Sequence, residues 1–174
     1  MANRNRLRIF GLLVQNPDQT VSAVAGRLRL GLPLTSEYLR ALESRGLLAV
    51  RRVGRRVTYR TAPRTDPRRT QTLVTALRRV FQHEAQPIAT VFKLATAFTH
   101  PRRLKIFRAL QVEPRTLGQI QTTTRVPGRA LSRHLKKLAA RGFITRHRRR
   151  YHVNRSACAF GRELARLAVQ TAGG

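Results

Sequence analysis

Arginine is the residue through which this chain can do chemistry. Lys and Arg number 36 against 7 Asp and Glu, a formal net charge of +29. So much like charge repels itself in a compact state, and it makes physical sense where a polyanion neutralises it. Nucleic acids carry the densest line of phosphates, so DNA or RNA is the expected partner. Arginine outnumbers lysine 32 to 4. Its planar fork suits phosphate and guanine. A GC-rich genome would favour arginine codons as well, but that would not remove the acids. Other chemistry is poorly supplied. The acids, the five histidines and the single cysteine form no nucleophile–base pair, no carboxylate dyad and no phosphate-cradling glycine loop, so an enzyme is not expected. Cys158 alone excludes an intrachain disulfide. The histidines lack the paired carboxylates or thiolates of a metal site. His147 and His152 read as a solvated pair flanking a basic segment. No metal or other cofactor is expected.

The cations cluster within a unit that is written twice. Tyr38-Leu-Arg-Ala-Leu-Glu-Ser-Arg-Gly-Leu-Leu48 and His134-Leu-Lys-Lys-Leu-Ala-Ala-Arg-Gly-Phe-Ile144 align without a gap at an offset of 96. Each is followed by a burst of arginines ending at a tyrosine, Tyr59 or Tyr151. Each is preceded by a matching apolar helix pattern, Arg6-Leu-Arg-Ile-Phe10 or Arg103-Leu-Lys-Ile-Phe107. An internal repeat sets the architecture. A helix, an Arg-Gly stop and a basic hairpin, repeated, predict a mainly α fold with small β-hairpins: two tandem winged helix-turn-helix domains joined by a helical connector. The expected division is 1–62 for the first domain, 63–86 for the linker and connecting helix, and 87–174 for the second domain with its C-terminal helix. Apolar residues make up 41% of the chain. Two cores of about 60 residues each are small, and each would lean on a neighbour or a partner.

Along the chain, Leu7, Phe10, Leu13 and Val14 have helical spacing over 3–14. Thr20 to Leu28 reads as a second helix, Gly31-Leu-Pro33 as a turn, and Leu34 to Ser44 as a third helix with Leu39 and Leu42 inward. Gly46 takes the left-handed position that stops a helix. Residues 47–52 and 55–60 alternate apolar and basic side chains across Val53-Gly54, a hairpin pattern. Residues 61–66 read as a linker, and Pro67 as the opening of a connecting helix to His83 with Leu73, Leu77, Val80 and Phe81 inward. A helix over 88–98 and the corner Thr99-His100-Pro101 lead into the second unit. Its helices are expected at 102–111, 116–124 and 129–140, with Val126-Pro-Gly128 as the turn and Leu131, Leu135 and Leu138 inward. Its hairpin, over 143–153, is four residues shorter than the first. Asn154 or Ser156 is expected to cap a last helix to Gln170, and the final four residues to fray.

Lys93-Leu-Ala-Thr-Ala-Phe-Thr-His-Pro-Arg-Arg-Leu-Lys-Ile-Phe-Arg-Ala-Leu110 resembles the opening of ArsR-type repressors: an apolar helix, a proline corner, then Arg-Leu and a second apolar helix. Leu131-Ser-Arg-His-Leu-Lys-Lys-Leu138 with Arg141-Gly-Phe-Ile144 resembles that family's recognition helix and the strand after it. The resemblance covers about 88–170, and residues 3–60 look like a more distant copy without the family's preceding helix. It implies transcriptional regulation by binding double-stranded DNA. Many ArsR-type proteins are homodimers that sense metals through Cys or His/Asp clusters. Here those sensing residues are missing. The family's first and last helices form its dimer interface, which implies either a homodimer through the connecting and C-terminal helices or a monomeric pseudo-dimer. Leu164, Leu167 and Ala168 have the spacing for such a seam, and core packing within one chain explains them equally well.

In a winged helix the third helix enters the major groove and the wing touches backbone or minor groove. On the second recognition helix the inward leucines leave Arg129, Ser132, Arg133, Lys136 and Lys137 outward. Arg129, Ser132 and Arg133 are nearest the helix start and best placed for base edges, where an arginine can fork onto guanine. Lys136, Lys137 and Arg125 suit phosphates. On the first, Ser36 matches Ser132 and Arg40 matches Lys136, but Pro33, Glu37 and Ala41 stand where Arg129, Arg133 and Lys137 do. The two readers are therefore unlike, and Glu37 is expected either to select a base or to keep its helix off DNA. The wings carry Arg51, Arg52, Arg55 and Arg56 in the first unit and Arg146, Arg148, Arg149 and Arg150 in the second. These suit phosphates or a narrow minor groove, and they also blunt an exposed sheet edge. Besides a sequence-specific regulator, the pattern admits a nucleoid-architectural or replication-initiator protein, or an RNA-binding protein. The longest apolar run, Ile9 to Val14, is far too short to span a bilayer and no signal peptide is legible, so a cytoplasmic, nucleoid-associated protein without membrane contact is expected.

Overall fold

A computed structural model describes residues 3–63, 71–155 and 158–170, which fall into two compact units divided between Phe92 and Lys93. The first contains α1 (Arg4–Gln15), α2 (Val21–Leu28), α3 (Leu32–Glu43), the hairpin β1 (Leu48–Val53) and β2 (Arg56–Thr61), and α4 (Gln71–His83). α5 (Pro87–Ala95) crosses the division and runs into a 3-10 turn at Thr96–Phe98. The second contains α6 (Pro101–Val112), β3 (Arg115–Thr116), α7 (Leu117–Thr124), α8 (Gly128–Ala140), the hairpin β4 (Ile144–His147) and β5 (Arg150–Val153), and α9 (Ala159–Gln170). The fold is mainly α with small antiparallel hairpins, two winged helix-turn-helix units in tandem.

Capping explains where several helices begin. Asn3 Oδ1 accepts from the backbone N–H of Asn5 and Arg6 at 2.9 and 3.2 Å, opening α1. Thr116 and Gln119 cap α7 reciprocally, each side chain accepting from the other's backbone N–H. α3 begins two residues earlier than the sequence suggests, at Leu32, because Pro33 lies inside its first turn. There the missing proline N–H would have had no partner and the fixed φ already suits a helix. Gly46 and Gly142, at φ 69° and 76°, follow α3 and α8 in the left-handed region.

The first hairpin turns at Gly54-Arg55, one residue later than expected, since Val53 still pairs with Arg56. The second hairpin pairs Ile144 with Val153 through His147 with Arg150, and its two strands are each two residues shorter than those of the first. β3 is an unexpected third strand: Arg115 pairs with Tyr151 on β5. At the matching place in the first unit, Gln19 bridges to Tyr59.

Each unit has its own core. In the first, Ile9, Phe10 and Leu13 of α1 are buried with Val24, Leu39, Leu42, Tyr59 and, from α4, Val74, Leu77, Val80 and Phe81. The Phe10 and Phe81 rings sit 5.7 Å apart. A Cβ on Gly11 would come within 2.5 Å of the Phe81 ring, so glycine is what lets α4 lie this close to α1. The expected connecting helix is thus part of the first unit's packing. Its expected start at Pro67 and the end of the linker lie outside the described residues. In the second unit, Phe107 and Phe143 are buried with Ile106, Ile120, Leu131, Leu135 and Leu138. The Phe98 ring lies 4.9 Å from Phe107 and 4.6 Å from Phe143, contacts worth about 0.5–1.5 kcal/mol each beyond their buried area. Ala168 joins this core and Leu164 packs against it, so that face of the C-terminal stripe is used within the unit. Asn154 Nδ2 donates to the Gly142 carbonyl at 3.0 Å, tying the end of β5 to the turn after α8. Ser156 and the last four residues lie outside the described residues.

Candidate nucleic-acid interface

α8 buries Leu131, His134, Leu135 and Leu138 and turns its other face to solvent. On that face Arg129, Ser132, Arg133, Lys136 and Lys137 line one shallow open groove together with Ala140 and Arg141. All five are exposed. Their side chains have no hydrogen bond or ion pair to any described residue. Arg141, of the Arg-Gly pair that ends α8, is fixed at the edge: its Nε donates to Thr96 Oγ1 at 3.2 Å and a terminal nitrogen to the Lys137 carbonyl at 3.1 Å. Arg125 lies in the turn between α7 and α8, exposed, with a left-handed backbone at φ 53°. Arg29 occupies the equivalent turn of the first unit, exposed at φ 52°. The offset of 96 relates the two, and applying it beyond the recognition helices would have identified Arg29.

α3 buries Thr35, Leu39 and Leu42. Ser36 is half-buried, while Glu37 and Arg40 are exposed. Glu37 has no hydrogen-bond or ion-pair partner among the described residues. The helix starts with Leu32, Pro33 and Leu34 all facing solvent, where α8 has Gly128, Arg129 and Ala130. The first recognition surface therefore carries apolar and acidic groups at positions where the second carries cations.

Both hairpins present their arginines outward: Arg51, Arg52, Arg55 and Arg56 on the first, Arg146, Arg148, Arg149 and Arg150 on the second. The Arg146 guanidinium lies over the Tyr151 ring, 5.7 Å from its centroid. Arg150 donates to the Pro114 carbonyl at 3.1 Å. Arg148 and Arg149 make the turn itself, with φ 43° and 67°. The structure also brings His147 and His152 together across the hairpin, ring centroids 6.4 Å apart. Among the described residues no group of three or more His, Cys, Asp or Glu side chains could hold a metal ion.

Behind each recognition helix the same junction is built from different chemistry. In the first unit the α1 cap Asn3 reaches Tyr38 on α3, Nδ2 to Oη at 3.3 Å. In the second the α6 cap His100 packs against His134 of α8, ring centroids 4.5 Å apart and the planes tilted by 49°. His134 is 4% exposed and neither ring nitrogen has a hydrogen-bond partner. Burial, and then His100, Arg103, Arg133 and Arg102, lower its pKa below the ordinary histidine value. Arg103 is buried beside it and donates to the carbonyls of Thr96 and Ala97 and to Thr99 Oγ1, closing the corner before α6. Burial, and then Arg141, lower the Arg103 pKa from its usual value.

Among the described residues, no helix is long and apolar enough to cross a membrane. No curated protein matches the chain. Two family models do: residues 3–49 match a winged helix-turn-helix DNA-binding domain, and residues 98–147 match a helix-turn-helix domain. The matched segments contain both α3 and α8. Repeat, fold and family matches agree on a DNA-binding protein made of two helix-turn-helix units in tandem.

Proposed function

We propose that the chain is a transcription regulator of ArsR-like type that binds a specific site in double-stranded DNA through two unlike winged-helix readers. The observation that carries this reading is the outward face of α8. Five polar and cationic side chains, Arg129, Ser132, Arg133, Lys136 and Lys137, line one open groove without any partner in the described protein. A helix with its apolar side buried and its cationic side unengaged is shaped to meet phosphate and base edges. Arg129, Ser132 and Arg133 read bases, Lys136, Lys137 and Arg125 hold phosphates, and the wing arginines hold backbone or minor groove. Ser36, Glu37 and Arg40 give the first unit a different preference. Fixed in order along one chain, the two readers address an asymmetric site, as a pseudo-dimer or as a homodimer.

Selection of bound duplexes from a random pool tests the proposal. One enriched motif with two unlike halves is the expected result. A flat profile would point instead to an architectural or replication-initiator role, and preference for structured RNA to an RNA-binding one. Neutralising about six to ten phosphates would weaken binding about 10³- to 10⁵-fold between 50 and 200 mM salt.

A further inference from the structure

We propose that the tip of α3 reads thymine through Leu32 and Leu34, which cover C5-methyl groups in the major groove. This inference rests on the DNA-binding reading above and adds the base class that the first unit selects.

Because α3 starts at Leu32, three consecutive apolar residues form its first turn. Leu32 is 56% exposed and Leu34 39%. Only six large hydrophobic side chains are this exposed among the described residues, and two of them share this turn. A third, Val53, is 61% exposed next to the turn of the same unit's wing. Half of the exposed large hydrophobics thus lie on the two elements with which the first unit would meet DNA. The second unit has Gly128, Arg129 and Ala130 at the positions of Leu32, Pro33 and Leu34, so it presents a cation between two small residues.

The first turn of a recognition helix is the part that reaches base edges. In the major groove the apolar group on offer is the thymine methyl; guanine is read by a cationic fork and adenine by an amide. The α3 tip has no cation and no amide. Glu37, one turn further on, repels phosphate and can accept only from a base amino group. Exposed leucines would not be held against a polyanion on their own. Here Arg29, Arg40 and the wing arginines of the same unit supply the attraction, which makes duplex DNA a better occupant of this apolar tip than a neutral protein surface.

The test uses the full chain and two duplexes of the same mixed, T·A-rich sequence, one with thymine and one with deoxyuridine, which lacks only the methyl group. The wild type should bind the thymine duplex more tightly, by about fourfold for each methyl covered. The double variant L32A/L34A should bind the two duplexes equally while retaining a cooperative thermal unfolding transition. A Leu32→Met, Leu34→Met variant should keep the preference. Equal wild-type binding to the two duplexes, or a thymine preference that survives in L32A/L34A, would overturn the inference while leaving salt-sensitive DNA binding intact. A self-association abolished by L32A/L34A would assign the tip to a second copy and also overturn it. Failure to bind either duplex would defeat the proposed function itself.

Discussion

The turn of the second wing separates what stabilises the protein from what its arginines are for. Arg148 and Arg149 both adopt left-handed backbone, at φ 43° and 67°, between paired residues His147 and Arg150. A two-residue turn with both φ values positive favours Asn-Gly, because a Cβ in that region crowds the neighbouring carbonyl. The crowding costs about 1–2 kcal/mol per residue. Replacing the pair with Arg148→Asn and Arg149→Gly should therefore stabilise the second unit by about 1–2 kcal/mol, discounting for the conformational freedom that glycine adds to the unfolded chain. In a unit of this size that corresponds to a rise of about 4–8 °C in Tm per kcal/mol. The same change removes two exposed guanidinium groups. If each meets one phosphate, the slope of log affinity against log salt becomes shallower by about 1.8, and affinity at 0.1 M salt falls by about 60-fold. Thermal unfolding and a salt titration of duplex binding read the two effects separately. The expected result is a more stable protein that binds more weakly. Unchanged or lower stability would refute the strain argument. Higher stability with an unchanged salt slope would show that these arginines do not meet phosphate.

Three further outcomes follow from the packing and charge. Gly11→Val should destabilise the first unit by about 1–3 kcal/mol, because the new side chain must displace the Phe81 ring; thermal unfolding followed by hydrogen exchange should show the loss in α1 and α4 and not in α8. Burial and the neighbouring cations hold the His134 pKa in the folded protein below its ordinary value, so the unfolded chain binds a proton first as pH falls through about 6.5. Its contribution is therefore intact above that pH and lost below it, and His134→Leu should flatten the pH dependence of unfolding between pH 7 and 5. Glu37→Arg should strengthen binding to duplex DNA or change the selected half-site; unchanged affinity together with an unchanged motif would remove Glu37 from the reading surface.

The helices were legible because their apolar spacing is regular and because one unit checks the other. Leu131, Leu135 and Leu138 are buried as the period requires, and the cations between them are outward. Boundaries failed where backbone chemistry outweighed period: Pro33 reads as a turn residue but belongs to a first helical turn, and that error hid the exposure of Leu32 and Leu34. β3 is two residues long, too short for any alternation to show. The tip at Arg148-Arg149 carries no Gly or Asn, so nothing in its sequence marks a turn. His134 falls on the inward side of a helix full of cations, and only the packing reveals that it meets His100 with no acceptor nearby. Arg29 and Arg125 hold conformations usually left to glycine, and a list of residue types does not show φ.

Unlike readers on one chain change how weak a reader can be and still matter. α3 lacks the cations that α8 has at three positions, so the first unit alone would hold DNA less strongly. On the proposed reading, once the second unit is bound the first would meet its half-site as a tethered group, at an effective concentration that can reach about the millimolar range if the chain between the units spans the gap. A reader with millimolar intrinsic affinity is then about half occupied, and its preference for a base adds to the specificity of the whole. The same arithmetic fixes an order. Weakening α8 should weaken protection of both half-sites together, whereas weakening α3 should leave the second half-site protected and expose only the first. Footprinting Arg133→Ala beside L32A/L34A would distinguish this from two independent binders, in which each variant would lose its own half-site alone.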